Sequence, residues 1–229
     1  MTRNRSIARI PSIPHTPRTP RAAAAAAILA LAAAAGLALS ATLPAATASV
    51  ETTGAAVVGQ AAPGFQLKGI DGANYSLASY KGKVVVLEWI NPNCPFSNRH
   101  AREHTMTELS KQHGEVVWLG INSTNPKSGD YLTPADHLAW NKKNGIVYPV
   151  LYDESGTVGH SYGARTTPHM FIVDAQGNVA YNGAIDDDPR ASKPKTERTN
   201  YVGNGLSAEE AGKRPDPAAT KPYGCSVKY

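Results

Sequence analysis

The chain has 229 residues, enough for one sizeable core and short for two full domains. Its 23 Lys+Arg against 18 Asp+Glu give a formal net charge of +5, yet Arg3, Arg5, Arg9, Arg18 and Arg21 all lie near the start; without those five, 18 cations meet 18 acids. The basic balance therefore belongs to the N-terminus, and a nucleic-acid partner, which needs a basic face on the folded part, is not expected.

Residues 1–48 carry those arginines and no acidic residue, then an alanine-rich apolar run from Ala22 to Leu43, then Ala46-Thr47-Ala48 as a small-x-small exit. Positive start, apolar middle and small-residue exit read as a secretory signal peptide, which makes the product periplasmic or secreted. The apolar run is also long enough to span a bilayer, so a membrane is a partner only if the segment stays uncleaved. Two cysteines remain, Cys94 and Cys225, both in the exported part. Two thiols in such a length are not a disulfide scaffold; they point to chemistry more than to stapling.

Residues 49–63 are small and end near Pro63, which predicts a linker. Phe65-Gln66-Leu67-Lys68, a turn at Asp71-Gly72 and Tyr75-Ser76-Leu77 predict a β-hairpin. The β-branched run Val84–Ile90 predicts a strand buried on both faces. Asn91-Pro92-Asn93 breaks it, and Cys94-Pro95 leads into a stretch without Gly or Pro, Phe96–His113, that predicts one helix stopped by Gly114. Val116–Ile121 is the next buried strand, Ser123–Pro134 a polar loop, Ala135–Lys143 a short helix, and Tyr148–Tyr152 a strand. Gly159–Tyr162 reads as a helical turn. Met170–Val173, the turn Gln176-Gly177-Asn178 and Val179–Tyr181 form a second hairpin. This order predicts an α/β three-layer sandwich with a mixed central sheet, an N-terminal β-hairpin extension, a domain over 64–190 and a polar, proline-rich tail over 191–229. The tail holds one short helix near Tyr201–Ala211.

A cysteine between a buried strand and a helix start meets unpaired backbone N–H groups and the positive end of the helix dipole. Both favour thiolate, so Cys94 is the candidate nucleophile; the plain alternative is a small buried hydrophobe. Pro95 suits the first helical turn, having no N–H to lose.

Trp89-Ile90-Asn91-Pro92-Asn93-Cys94-Pro95-Phe96-Ser97 resembles the thioredoxin active-site loop, with Cys94 at the first cysteine of C-x-x-C. Thr166-Thr167-Pro168 ahead of Met170–Asp174 resembles the cis-proline loop that faces it. Val58-Gly59-Gln60-Ala61-Ala62-Pro63-Gly64-Phe65 is similar to the opening of alkyl hydroperoxide reductase and thiol-specific antioxidant redoxins, and Gly224-Cys225-Ser226-Val227-Lys228-Tyr229 to the ending of their peroxiredoxin-like branch. The resemblance implies a thioredoxin-like fold and a thiol-based oxidoreductase with no cofactor. Its partners would be a thiol or disulfide reductant, a peroxide substrate, or a protein disulfide. It implies substrate contacts at Trp89, Pro95, Thr167 and Pro168, with a cis Thr167–Pro168 bond docking an extended peptide by strand addition. It also places Glu88 where a buried carboxylate relays protons.

Ser97 stands at the second C-x-x-C position, so Cys94 has no vicinal partner, and Cys225 is the candidate resolving thiol. The tail would wrap back with Tyr223 and Tyr229 anchored on an apolar surface. Two other classes stay open: a copper-handling protein using Cys94 with His100, His104 or His169, and a redox-inert binding module. No dedicated metal site is expected. Asp186-Asp187-Asp188 reads as a solvated loop.

Overall fold

The computed structural model describes residues 55–229. The predicted signal peptide and the first part of the predicted linker lie outside them. No helix among the described residues is long and apolar enough to cross a membrane.

In chain order the elements are β1 (Gln66–Gly69), β2 (Asn74–Ser76), β3 (Val85–Trp89), α1 (Pro95–Arg102), α2 (Thr105–Gln112), β4 (Val117–Asn122), α3 (Pro134–Asn144) and β5 (Val150–Tyr152). They continue with α4 (Thr157–Tyr162), β6 (Thr166–Thr167), β7 (His169–Val173), β8 (Val179–Gly183), α5 (Tyr201–Glu210) and β9 (Cys225–Ser226). Seven strands form one mixed sheet in the order β2-β1-β5-β4-β3-β7-β8, and β6 and β9 pair separately. The β3–β4 and β4–β5 pairs are parallel, and the hairpins β1–β2 and β7–β8 are antiparallel.

β3 runs down the middle because every residue of it can be buried, and every one is. Side chains alternate across a strand. Val85, Leu87 and Trp89 enter the layer with Phe65, Val158 and Tyr162 of the α4 side. Val86 and Ile90 enter the opposite layer, with Ala101, Met106 and Leu109 of α1 and α2 and Val202 and Leu206 of α5. Helices thus cover both faces of the sheet in a thioredoxin-like sandwich, and the parallel strands β3 and β4 deliver their carboxyl ends to one edge, where open-sheet folds place their sites.

Three segment boundaries differ from the sequence reading. The predicted helix over 96–113 is two helices. His104 has a left-handed backbone (φ 54°) between them, and its Nδ1 lies 3.1 Å from the Asn144 carbonyl, which fixes the break. The described part of the predicted linker is no spacer: Gly59 N–H donates to Val179 O (2.8 Å) and Val179 N–H to Gln60 O (2.9 Å), so this segment lines the β8 edge. The predicted tail is not outside the domain. α5 places Val202 and Leu206, both 0 % exposed, in the core.

Candidate active site

The site grows from the end of β3. After Trp89 the chain turns through Asn91-Pro92-Asn93, where the Asn91 side-chain oxygen accepts from Asn93 N–H at 2.7 Å and its amide donates to Thr124 Oγ1 at 3.0 Å. Asn91 O accepts from Cys94 N–H at 3.0 Å, which turns Cys94 into the N-cap of α1, with Pro95 in the first turn. Ser97 is buried, with its Oγ 3.4 Å from the Asn91 N–H. The hydroxyl at the second C-x-x-C position therefore braces the loop.

Cys94 is only 2 % exposed. Its thiol donates to the Thr167 carbonyl at 2.8 Å. The Thr167–Pro168 bond is cis, as the resemblance implies, and both residues are buried. β9 completes the arrangement: Cys225 pairs in antiparallel register with Thr167, and Ser226 with Thr166. The two sulfurs, 131 positions apart in sequence, are brought to one peptide unit.

Burial works to raise the Cys94 pKa. The Cys225 thiol, the Thr167 hydroxyl and the backbone N–H groups of Ser97 and Cys225 outweigh it and leave the thiol below its ordinary range. Burial, the bond to Cys94 and the charge on Cys94 push Cys225 up to about 11. Cys94 is therefore the more acidic thiol of the pair and ionises before Cys225.

The tail is held on both sides of Cys225. Tyr223 Oη accepts from Arg99 Nη2 at 2.8 Å, lies 3.0 Å from His100 Nε2 and donates to Asp186 Oδ1. Its ring packs 5.9 Å from that of Phe96. Tyr229 stacks on His160 at 3.9 Å and donates to Ala164 O at 2.7 Å. The anchors named from sequence are thus in place, but Tyr223 enters a polar socket and not an apolar surface. That socket depends on Asp186 and Asp188, which the sequence reading had solvated. Both are buried; Asp186 lies 3.6 Å from Arg99 and Asp188 lies 3.0 Å from Arg198 Nε. Despite burial, N–H bonds from Ser192 and Lys193 and the Arg198 charge hold Asp188 well below the usual carboxylate range.

The other expected site residues separate. Trp89 is 0 % exposed, packs on Tyr162 and Phe171, and donates to Ser123 Oγ at 3.0 Å; it offers no surface to a substrate. Pro95 stays exposed beside Cys94. Glu88 is buried with its carboxylate accepting from the Tyr148 hydroxyl at 2.7 Å, in a cavity of about 10 Å³ that His100 and Met106 also line. It belongs to the layer under α1 and α2. The histidines do not gather at the thiol. His100 is pushed down to about 3 by burial and by Arg99 and Arg198. His104 turns to Asn144, and His169 is 2.7 Å from Asn182 Oδ1 while accepting from Arg165 N–H. Among the described residues no group of three or more His, Cys, Asp or Glu side chains is arranged to hold a metal ion.

Burial raises the Glu88 pKa from 4.5 to about 7, opposed by the Tyr148 bond. A carboxyl that holds its proton more tightly when folded stabilises the fold at low pH and loses that stabilisation as pH rises from 4.5 to about 7. Glu88→Gln is expected to remove this pH dependence, worth on the order of 3 kcal/mol across the window. Denaturant unfolding at several pH values measures it; an unchanged slope in the variant would assign the dependence to another group.

Comparison with known proteins gives this geometry a family. Over 126 residues the chain is 27% identical to the thiol-disulfide oxidoreductase ResA of Geobacillus thermodenitrificans, covering 55% of this chain and 68% of that one. It is 31% identical over 132 residues to the chloroplastic peroxiredoxin Q of Populus jackii, covering 53% and 57%. Among solved structures, an uncharacterised conserved protein of Geobacillus kaustophilus shares the fold at TM-score 0.66 and 28% identity, over 76% of this chain and 92% of that one. A hypothetical protein of Sinorhizobium meliloti matches at TM-score 0.65 and 23% identity, covering 76% and 94%. The AhpC/TSA family model matches residues 58–182, which hold the loop of Cys94, the Thr167–Pro168 step and strands β1 to β7, and the chain belongs to the AhpC/TSA family.

Proposed function

We propose that the protein is an exported thiol oxidoreductase whose redox couple is Cys94 with Cys225. The observation that carries this reading is the register of β9, which sets Cys225 opposite Thr167 while the Thr167 carbonyl holds the Cys94 thiol. Cys94, as thiolate, attacks the oxidant. A hydroperoxide gives a sulfenic acid and an alcohol; a disulfide gives a mixed disulfide and a thiolate. Cys225 then attacks the Cys94 sulfur, forming the Cys94–Cys225 disulfide and releasing water or the second thiol. An external thiol pair restores both cysteines. Thr167 and Pro168 hold the geometry around the sulfur, and Glu88 belongs with Tyr148 in the layer beneath. Export rests on the segment 1–48, and an oxidising compartment suits a couple that cycles through a disulfide.

Relatives named thiol-disulfide oxidoreductase and relatives named peroxiredoxin both support oxidoreductase chemistry. The test is peptide mapping of the unreduced full chain after one equivalent of hydrogen peroxide. The expected product is the Cys94 peptide joined to the Cys225 peptide, two hydrogens lighter than the free pair. Cys94 recovered as free thiol would overturn the assignment.

A further inference from the structure

β6 and β9 are two residues each, and so short a pairing cannot hold by itself, since even a complete two-stranded hairpin is marginal in water. Cys225 is therefore held from either side of the pairing. Past it the hold is spread: Val227 N–H donates to Arg165 O at 3.1 Å, Asn125 N–H donates to Lys228 O at 2.7 Å, and Tyr229 stacks on His160. Before it the hold is Tyr223. The Tyr223 ring lies 5.9 Å from that of Phe96, and the Arg99 guanidinium carbon stands 5.7 Å from its centre. The hydroxyl meets Arg99 Nη2 at 2.8 Å, His100 Nε2 at 3.0 Å and the buried Asp186 carboxylate.

Phe96, Arg99 and His100 all belong to α1, the helix that Cys94 caps. The Cys94 carbonyl accepts from Asn98 N–H at 2.9 Å, which ties the cysteine to the first turn. One rigid element thus carries the first sulfur and the socket that fixes the second. Gly224 alone separates Tyr223 from Cys225, and it has no slack: φ is 143°, and a Cβ there would collide with the Thr167 carbonyl. A shift of Tyr223 therefore passes straight to Cys225. Nothing else nearby replaces the hydroxyl. Without it Asp186 loses a donor and Arg99 loses an acceptor, and the buried Arg99 Nε already has no partner among the described residues.

We infer that Tyr223 is the positioning residue of the redox couple: its hydroxyl, seated in the Arg99–His100–Asp186 socket of α1 and the 186–188 loop, keeps Cys225 at Cys94 and so sets the stability of their disulfide. This rests on the reading of Cys94 and Cys225 as one couple and adds what fixes its geometry. Tyr223 touches neither sulfur's reaction partner; it acts only through the place it gives Cys225. With the hydroxyl gone, β9 spends most of its time undocked, and the disulfide closes only from the docked fraction. The hydroxyl bonds a charged arginine and a carboxylate, and loss of such a bond is expected to lower the effective concentration of Cys225 toward Cys94 by at least ~10-fold.

Two measurements on the full chain test this, each comparing the parent with Tyr223→Phe and Tyr229→Phe. Tyr223→Phe keeps the ring on Phe96 and removes only the hydroxyl. In the first, the chains are equilibrated with glutathione buffers: the two thiols give two hydrogens to oxidised glutathione, which becomes two molecules of glutathione. The equilibrium constant for the Cys94–Cys225 disulfide is expected to fall at least ~10-fold in Tyr223→Phe, which for a two-electron couple raises the potential by about 30 mV. Tyr229→Phe loses a neutral bond backed by the backbone bonds at 227 and 228, and is expected to change it less than ~3-fold. A parent disulfide whose potential Tyr223→Phe leaves in place, or equal shifts in both variants, would overturn the positioning role. A parent that forms no Cys94–Cys225 disulfide would defeat the couple itself. The second measurement, amide hydrogen exchange of the reduced chains, needs no disulfide. Exchange over 224–227 is expected to speed at least ~10-fold in Tyr223→Phe while β3 keeps its protection, because only the strand opens. Unchanged exchange over 224–227, or equal acceleration in β3, would reduce the hydroxyl to a general support of the fold and overturn the proposal.

Discussion

Cys94→Ser is expected to lower peroxide or disulfide turnover by at least ~1000-fold, since removing a nucleophile takes away the step that every later step needs. The fold should hardly notice. Serine fills nearly the same volume, still caps α1, and can still donate to the Thr167 carbonyl that Cys94 contacts at 2.8 Å. Turnover and unfolding midpoint should therefore part company: the first collapses and the second stays. Residual activity above about a tenth of the parent would place the reacting group elsewhere, given the size of loss normal for a nucleophile.

Cys225→Ala is expected to split the reaction in two. The first oxidation of Cys94 persists and its sulfenic acid accumulates. Resolution passes to external thiol. A tethered group acts at an effective concentration of about 1 mM or more, so at ~10 µM external thiol the cycle should slow by roughly 100-fold. Raising the thiol concentration should restore it. The same variant removes the Cys225 thiol, the foremost of the contacts that favour the Cys94 anion, so the Cys94 pKa should move upward. Alkylation rates against pH report that shift. Recovery from oxidation at the parent's rate without added thiol would show that Cys225 does not resolve Cys94.

What the sequence carried well were features encoded locally. The β-branched run of β3, the Asn91-Pro92-Asn93 break and Cys94 before Pro95 are read from neighbouring residues, and they fix the N-cap site. The Thr167–Pro168 step was legible through the family resemblance, and its bond is cis. What failed depends on partners far along the chain. Glu103 and His104 contain no Gly or Pro to announce the break between α1 and α2; the Asn144 carbonyl on another helix supplies the reason for it. Asp186 and Asp188 looked solvated because their arginine partners, Arg99 and Arg198, adjoin them only in the fold. The resemblance implies a substrate contact at Trp89, whereas strand alternation carries its ring into the α4 layer. Cys225 was identifiable as the candidate partner because it is the only other cysteine of the chain. Its register on Thr167 was not, because two residues of strand pairing across the chain leave no periodic trace.

The central claim is that Cys94 and Cys225 form a single two-electron couple across β6 and β9. Equilibrating the full chain in glutathione buffers of graded ratio, quenching with acid and mapping every cysteine tests it most directly. The account predicts one cooperative transition from two free thiols to the Cys94–Cys225 disulfide, with little glutathione retained on either sulfur at equilibrium. Stable glutathione on Cys94 while Cys225 remains a free thiol would contradict it.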